Sequence, residues 1–275
     1  MGVTAGLPWL TRLLALPATT GRDLDDPETT ALRRDIIQRK PFLRDIYEDW
    51  YRAIAASLPP GDEPVLELGS GGGFMRQFVP GVLASDILAV PGLDLVADAG
   101  RLPFATASLR AIVMTNVLHH VPAVDRFLAD AARCVRPGGA MVMVEPWVTR
   151  WSAIVYRWLH HEPFEPAAAD WSLPVGGPLS GANIALPWMV FQRDRRRFEA
   201  QYPSWRVTSI EPSMPFRYLL SGGVSMRALM PAASSPAWRL LERSLVGRLP
   251  ELAMFAKVVV GRTGVPASGE IGRVA

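Results

Sequence analysis

The sequence predicts an α/β fold, and three observations carry that prediction. Short apolar runs ending on an acid or a glycine alternate with stretches of helical periodicity, the pattern of strands joined by crossover helices. One junction is distinctive: apolar Val65, Leu66 and Leu68 run into Gly69-Ser70-Gly71-Gly72-Gly73, four glycines in five residues, and then into Phe74. With 275 residues, 49% hydrophobic and 20% charged, the chain can bury an α/β core plus an elaboration and is unlike a disordered polymer.

In chain order, Asp26 as N-cap, Pro27 at the first position and an acid in the first turn open a helix. A second helix begins near Pro41, where Leu43, Ile46, Tyr47, Trp50, Ile54 and Leu58 share one face. Pro59-Pro60-Gly61 ends it. Residues 65–68 form the first strand, and the glycine turn leads to a helix from Phe74 to Val79. Strand, glycine turn and helix together present bare backbone and a helix N-terminus to a ligand. Residues 82–86 and 93–98 are strands ending on Asp86 and Asp98, and 111–115 is a fourth that emerges at Asn116. Pro122 opens a helix whose apolar face holds Val124, Phe127, Leu128, Ala131 and Val135. Arg136-Pro137-Gly138-Gly139 closes it, and 140–146 is the fifth strand. Residues 205–210 form a sixth strand, Ser235-Pro236 starts a helix, and 252–261, apolar apart from Lys257, make the last strand. The domain reading is a helical extension over 1–60, a core over 61–262 with 147–203 as an insertion, and a frayed tail over 263–275. There is no internal repeat.

Three nucleotide-binding patterns compete for the glycine turn. A phosphate-cradling loop needs Lys-Ser or Lys-Thr after its last glycine, where this chain has Phe74-Met75. The dinucleotide pattern G-x-G-x-x-G meets Phe74 when started at Gly69 and Arg76 when started at Gly71. What remains is acid-x-Gly-x-Gly-x-Gly over Glu67, Gly69, Gly71 and Gly73, against the plain alternative of a turn that only joins strand to helix. This pattern resembles the first motif of the Rossmann-like (class I) S-adenosylmethionine-dependent methyltransferases, in their small-molecule and quinone-type branch. Asp98-Ala99-Gly100-Arg101-Leu102-Pro103-Phe104 and Val135-Arg136-Pro137-Gly138-Gly139 resemble further elements of that family in the family's order, over 65–146. Leu109-Arg110 departs from the family's usual Phe-Asp.

The resemblance implies a seven-stranded, mostly parallel sheet with helices on both faces, an antiparallel last strand, and an acceptor lid after strand five. The cofactor would be S-adenosylmethionine. Gly69, Ser70, Gly71 and Gly73 would admit its methionine part and Glu67 would orient the ammonium. Asp86, followed by Ile87, would hold the ribose, Asp98 and Ala99 the adenine, and Asn116 would complete the set. The N-terminal helices would close over the cofactor or pack on the sheet. Asn116 lacks the Pro-Pro-Tyr found in enzymes that methylate amide or adenine nitrogens, which disfavours that chemistry. A hydroxyl or acidic-carbon acceptor would need a base, with His120 and His119 first and Glu145 next. Neighbouring histidines point in different directions, so at most one is expected to face the site, and structural packing is the plain alternative.

Beyond Pro146, Trp147, Trp151, Trp158, Trp171 and Trp188 suggest an aromatic acceptor wall, a membrane-surface contact, or a packed accessory layer. His160, His161 and Glu162 include a candidate base or metal ligand, but no defined metal spacing is present and no metal is expected. Cys134 is the only cysteine, which excludes internal disulfides and multi-cysteine zinc sites and fits a reducing cytoplasm. The apolar stretch 7–16 lacks a signal peptide's basic leader. It is read as packing, a pocket cover or a membrane-surface segment. Net charge is +3, and the one dense basic cluster, 193–197, reads as a solvated helix face. The expected function is methyl transfer to a small apolar, lipid-precursor or glycan-precursor acceptor. The alternatives are an RNA methyltransferase, disfavoured without a basic stripe, and a non-catalytic cofactor-binding protein.

Overall fold

The structure, a computed structural model, describes residues 14–160, 162–173, 176–177 and 179–264. Residues 7–13 of the N-terminal apolar stretch, His161 and the tail from 265 lie outside them. Asp26 accepts from the Glu28 amide at 2.8 Å and caps α1 (Pro27–Arg39), and α2 (Pro41–Ala55) follows directly. The strands are β1 (Val65–Leu68), β2 (Leu83–Asp86), β3 (Leu95–Val96), β4 (Leu109–Thr115), β5 (Val135–Pro146), β6 (Trp205–Ser213) and β7 (Phe255–Arg262). They form one sheet in the order β3-β2-β1-β4-β5-β7-β6. Every pairing from β3 to β5 is parallel, whereas β7 lies antiparallel between β5 and β6. The order reverses between β1 and β4, so a crevice opens there at the strands' carboxyl ends.

The parallel strands are apolar on both sides because both faces are covered. Along β4, Ala111 and Val113 join the α2 face with Ile46, Trp50 and Ile54. Ile112 and Met114 turn the other way, onto Phe127 and Leu128 of α3 (Val124–Cys134). Each such fully buried side chain contributes about 2 kcal/mol.

Three local expectations are corrected, and the alternatives for the tryptophans are narrowed. The helix over Phe74–Val79 is a single 3₁₀ turn, Met75–Gln77, because Pro80-Gly81 stop it and α1 lies across the bend, with Arg34 backbone beside Gly72. No helix dipole therefore aims at the glycines. The third strand is only Leu95–Val96, since Asp98 turns back onto Arg101. The Pro137-Gly138-Gly139 run does not close a helix followed by a loop: β5 already starts at Val135. The register slips between Leu109↔Val135 and Ala111↔Ala140, so this run is a bulge within the strand. None of the five tryptophans lines the cavity over the glycine bend, and Trp147 and Trp188 border only a smaller cleft beside β6. Trp147 and Trp171 are buried in the core, Trp188 and Trp151 pack against the two apolar clusters, and Trp158 is exposed.

Much of the basic cluster is engaged locally. Arg193 pairs with Asp194, Arg195 with Glu199, and Arg197 lies 4.3 Å over the Trp171 ring.

After α4 (Arg150–Trp158) and α5 (Arg195–Gln201), which lie between β5 and β6, the chain adds α6 (Arg217–Ser221) and α7 (Ser235–Val246) between β6 and β7. Arg217, 7% exposed in its side chain, bonds Glu242 at 2.6 Å and Asp49 at 2.8 Å, tying α6 to α7 and α2. Glu242 also accepts the Phe216 and Arg217 amides at 2.7 and 2.6 Å. Arg217→Ala would strand a buried carboxylate and should cost about 3 kcal/mol in urea unfolding, with Arg217→Lys, which keeps a positive charge beside Glu242, losing less. Equal midpoints for parent and Arg217→Ala would show the network to be energetically idle.

Candidate functional site

A cavity of about 680 Å³ opens over the carboxyl ends of β1, β2 and β4, a size suited to a cofactor and a small ligand. Its floor is the glycine bend. Gly69 has φ +66°, and a Cβ there would come within 2.4 Å of Val117; a Cβ on Gly71 would meet Thr30 of α1 at 2.8 Å and Asp86 at 3.1 Å. Bare backbone is therefore required both by conformation and by the approach of α1 and the β4 loop. Thr30, Arg33 and Ile37 of α1 line the same space, as do Tyr47 and Tyr51 of α2. The N-terminal helices both cover the cavity and pack on the sheet.

Glu67, at the end of β1, is buried, with the Ser70 hydroxyl donating to it. Burial pushes its carboxyl up to about 7, against the pull of the Ser70 hydroxyl and Arg76. Asp86, at the tip of β2, accepts the Gly71 and Leu88 amides, each at 3.0 Å. Burial raises its pKa, and those amides oppose the shift. Asp98 is on the cavity's exposed rim, one oxygen accepting the Gly100 amide at 2.7 Å. Ile87, Ala97, Ala99 and Asn116 also face the cavity. Thr115 and Asn116 line it too, and their buried oxygens Oγ1 and Oδ1 have no hydrogen-bond partner among the described residues. Such atoms are costly unless a ligand or water satisfies them.

Ten predicted cofactor residues (Glu67, Gly69, Ser70, Gly71, Gly73, Asp86, Ile87, Asp98, Ala99, Asn116) thus line one cavity, with His119 and His120. Glu145 does not. It is fully buried in β5 with its oxygens committed: Oε1 accepts the Val117 and Leu118 amides, each at 2.8 Å, and Oε2 meets His119 Nδ1 at 2.8 Å. Glu145 therefore orients the loop and cannot reach an acceptor. The expectation that at most one histidine faces the site is also corrected. The 3₁₀ turn Leu118–His120 brings the rings 4.2 Å apart, and both reach Glu162. Burial would depress His119, but Glu145 and Glu162 outweigh it and raise it to about 9. Burial, aided by the charge on His119, pushes His120 down to about 4.

Sequence reasoning missed the far wall. Tyr156 and Leu159, Tyr218 to Leu220 of α6, and Met254-Phe255 at the start of β7 line it, beyond β4 and β5. No local motif marks these residues, because antiparallel pairing of β7 beside β5 brings them in from far along the chain. Glu162 stood out in the sequence only as one acid beside two histidines.

A family model described as a methyltransferase domain matches residues 66–143. A demethylmenaquinone methyltransferase of Tropheryma whipplei (strain Twist) is 32% identical over 125 residues, 38% of this chain and 50% of that protein. The chain thus spans about half the length of this curated relative. A phthiotriol/phenolphthiotriol dimycocerosates methyltransferase 1 of Mycobacterium ulcerans (strain Agy99) is 39% identical over 57 residues, 20% of this chain and 21% of that protein. A solved complex of the Haloferax volcanii Trm112 methyltransferase activator with a methyltransferase shares the fold, with a TM-score of 0.50 at 15% identity. The match covers 89% of this chain and 99% of that one. Motif order, sheet topology and domain match agree: residues 66–143 match the methyltransferase domain family, and the sheet order is that of the Rossmann-like fold of the class I S-adenosylmethionine-dependent methyltransferases.

Proposed function

We propose that the protein transfers a methyl group from S-adenosylmethionine to a small, largely apolar acceptor. The supporting observation is a division within one cavity. The acids and bare backbone of β1 to β3 lie at one end and the apolar and tyrosine-lined wall at the other, with Asn116, His119 and His120 at the β4 loop between them. Glu67 holds the cofactor ammonium, Asp86 the ribose hydroxyls, and Asp98 with the Ala99 amide the adenine. The orphaned Thr115 and Asn116 oxygens and the bare glycine floor suit such a guest. The cofactor supplies an electrophilic methyl on a sulfonium. The chain aligns donor and acceptor and excludes water from between them. The chain's resemblance to enzymes named for quinone and lipid substrates supports an apolar acceptor. Arg193 and Arg195 are paired with acids and Arg197 stacks on Trp171, which leaves little of the 193–197 cluster for an RNA backbone. No helix among the described residues is long and apolar enough to cross a membrane.

The test is turnover. Labelled donor and purified protein are offered lipid, small-molecule, glycan and RNA fractions of a cell extract. Label should enter a lipid or small-molecule product. Label confined to RNA, or in no fraction, would contradict the reading.

The Glu67 environment adds a pH prediction. With its folded pKa raised from 4.5 to about 7, Glu67 favours the unliganded fold only in its neutral form, a contribution complete below pH 4.5 and lost as pH rises through 7. The cofactor ammonium needs the carboxylate, so affinity should fall about tenfold for each pH unit below 7 and level off above it. Calorimetry from pH 5.5 to 8 checks this, and Glu67→Gln should flatten the profile.

A further inference from the structure

We infer that His119, His120 and Glu162 form a binding site for a divalent first-row transition-metal cation, of the kind zinc represents, facing the cavity beside the β4 loop. The cluster is assembled from two places in the chain: the 3₁₀ turn after β4 supplies both imidazoles, and the segment after α4 (Arg150–Trp158) supplies the carboxylate. One ligand atom from each residue lies within 4.8 Å of the others.

The orientation of the rings carries the inference. His120 Nδ1 lies 3.2 Å from the Gly181 carbonyl oxygen, which can only accept, so Nδ1 carries a proton. His119 Nδ1 lies 2.8 Å from Glu145 Oε2, again an acceptor facing an imidazole N–H. Each ring is therefore anchored through Nδ1 and presents Nε2 to Glu162. A metal-ligating histidine is held in this way, its other nitrogen donating to a carboxylate or backbone carbonyl that fixes tautomer and ring plane.

The distances point the same way. His119 Nε2 lies 3.5 Å from Glu162 Oε2, and His120 Nε2 lies 3.7 Å from Oε1. Both exceed ordinary N–H···O lengths. Two ligand atoms each about 2.1 Å from one tetrahedral ion stand about 3.4 Å apart. The two spacings, each to a different oxygen of Glu162, are close to that, and a small side-chain adjustment brings one ligand atom of each residue from within 4.8 Å to a shared cation. A cation there would take the place of the proton that otherwise lies between an imidazole Nε2 and the Glu162 carboxylate. Two histidines and one carboxylate are also a donor set for zinc or another borderline first-row ion. Glu162 is held in place in part through its own amide, which donates to His160 Nδ1 at 3.2 Å. Three protein ligands leave a position open towards the cavity. In the methyl-transfer reading, on which this role rests, a cation there would hold an acceptor oxygen and ease loss of its proton to solvent.

Zinc and cobalt are the probes, added to the full chain after removal of any affinity tag and bound metal. Zinc calorimetry should give one site per chain, and cobalt should give visible d–d absorption typical of low coordination number. Glu162→Gln and His120→Ala should each weaken zinc at least about 100-fold, while S-adenosylmethionine affinity, measured on the same samples, stays within about twofold and reports an intact fold. A parent that binds no zinc, or variants that bind it as the parent does, would overturn the site and leave protons as the charge between these groups. Asp86→Ala separates the two readings, because it should lose the cofactor and keep the metal.

Discussion

Asp86→Ala should weaken S-adenosylmethionine binding by about 100-fold or more while leaving the chain folded. A carboxylate accepting both ribose hydroxyls makes two charge-assisted hydrogen bonds, each worth about 1.5–3 kcal/mol, and 1.4 kcal/mol is tenfold in affinity. Asp86 also accepts the Gly71 and Leu88 amides, so its removal loosens the bend that forms the cavity floor. Asp86→Asn retains one acceptor oxygen and should lose less. Calorimetry on parent and variants reads this directly, and unchanged affinity would remove Asp86 from the site.

His120→Ala should slow turnover by about 100-fold or more with less than about a threefold change in cofactor affinity. The ring lies between the cofactor end and the apolar wall, and neither its Gly181 anchor nor Glu162 belongs to the group of acids assigned to the adenosyl moiety. Loss of a group that takes the acceptor proton, or that holds a cation easing the loss of that proton to solvent, costs about 10²–10⁴ in rate. Single-turnover kinetics with saturating donor separates this from binding. Equal rates for variant and parent would return His120 to a packing role.

The cofactor half of the cavity was legible because its signals are local. Glu67, the glycines, Asp86 and Asp98 each sit at the end of a short apolar run, and a strand end in a parallel sheet has only one edge to face. The sequence also carried the antiparallel last strand, through the resemblance. Side-chain direction was less legible. Adjacent histidines diverge on a regular helix or strand, but Leu118–His120 is a 3₁₀ turn pinned by Glu145, and both rings swing to one acid. Composition left the tryptophans open, because their large apolar area is satisfied as well by a core as by a ligand. Trp171, buried with its indole N–H bonded to Asp194 at 2.9 Å, shows the former. The far wall was illegible because Tyr156, Leu219 and Phe255 meet only through the sheet order, which brings distant segments together with no motif in any of them.

The most direct measurement is a crystal structure of the chain with S-adenosylhomocysteine. The account predicts both ribose hydroxyls on Asp86, the adenine edge at Asp98 and Ala99, the amino group at Glu67, and the sulfur directed towards His120. A product molecule seated elsewhere, or a glycine bend closed over a hollow that excludes it, would contradict the account.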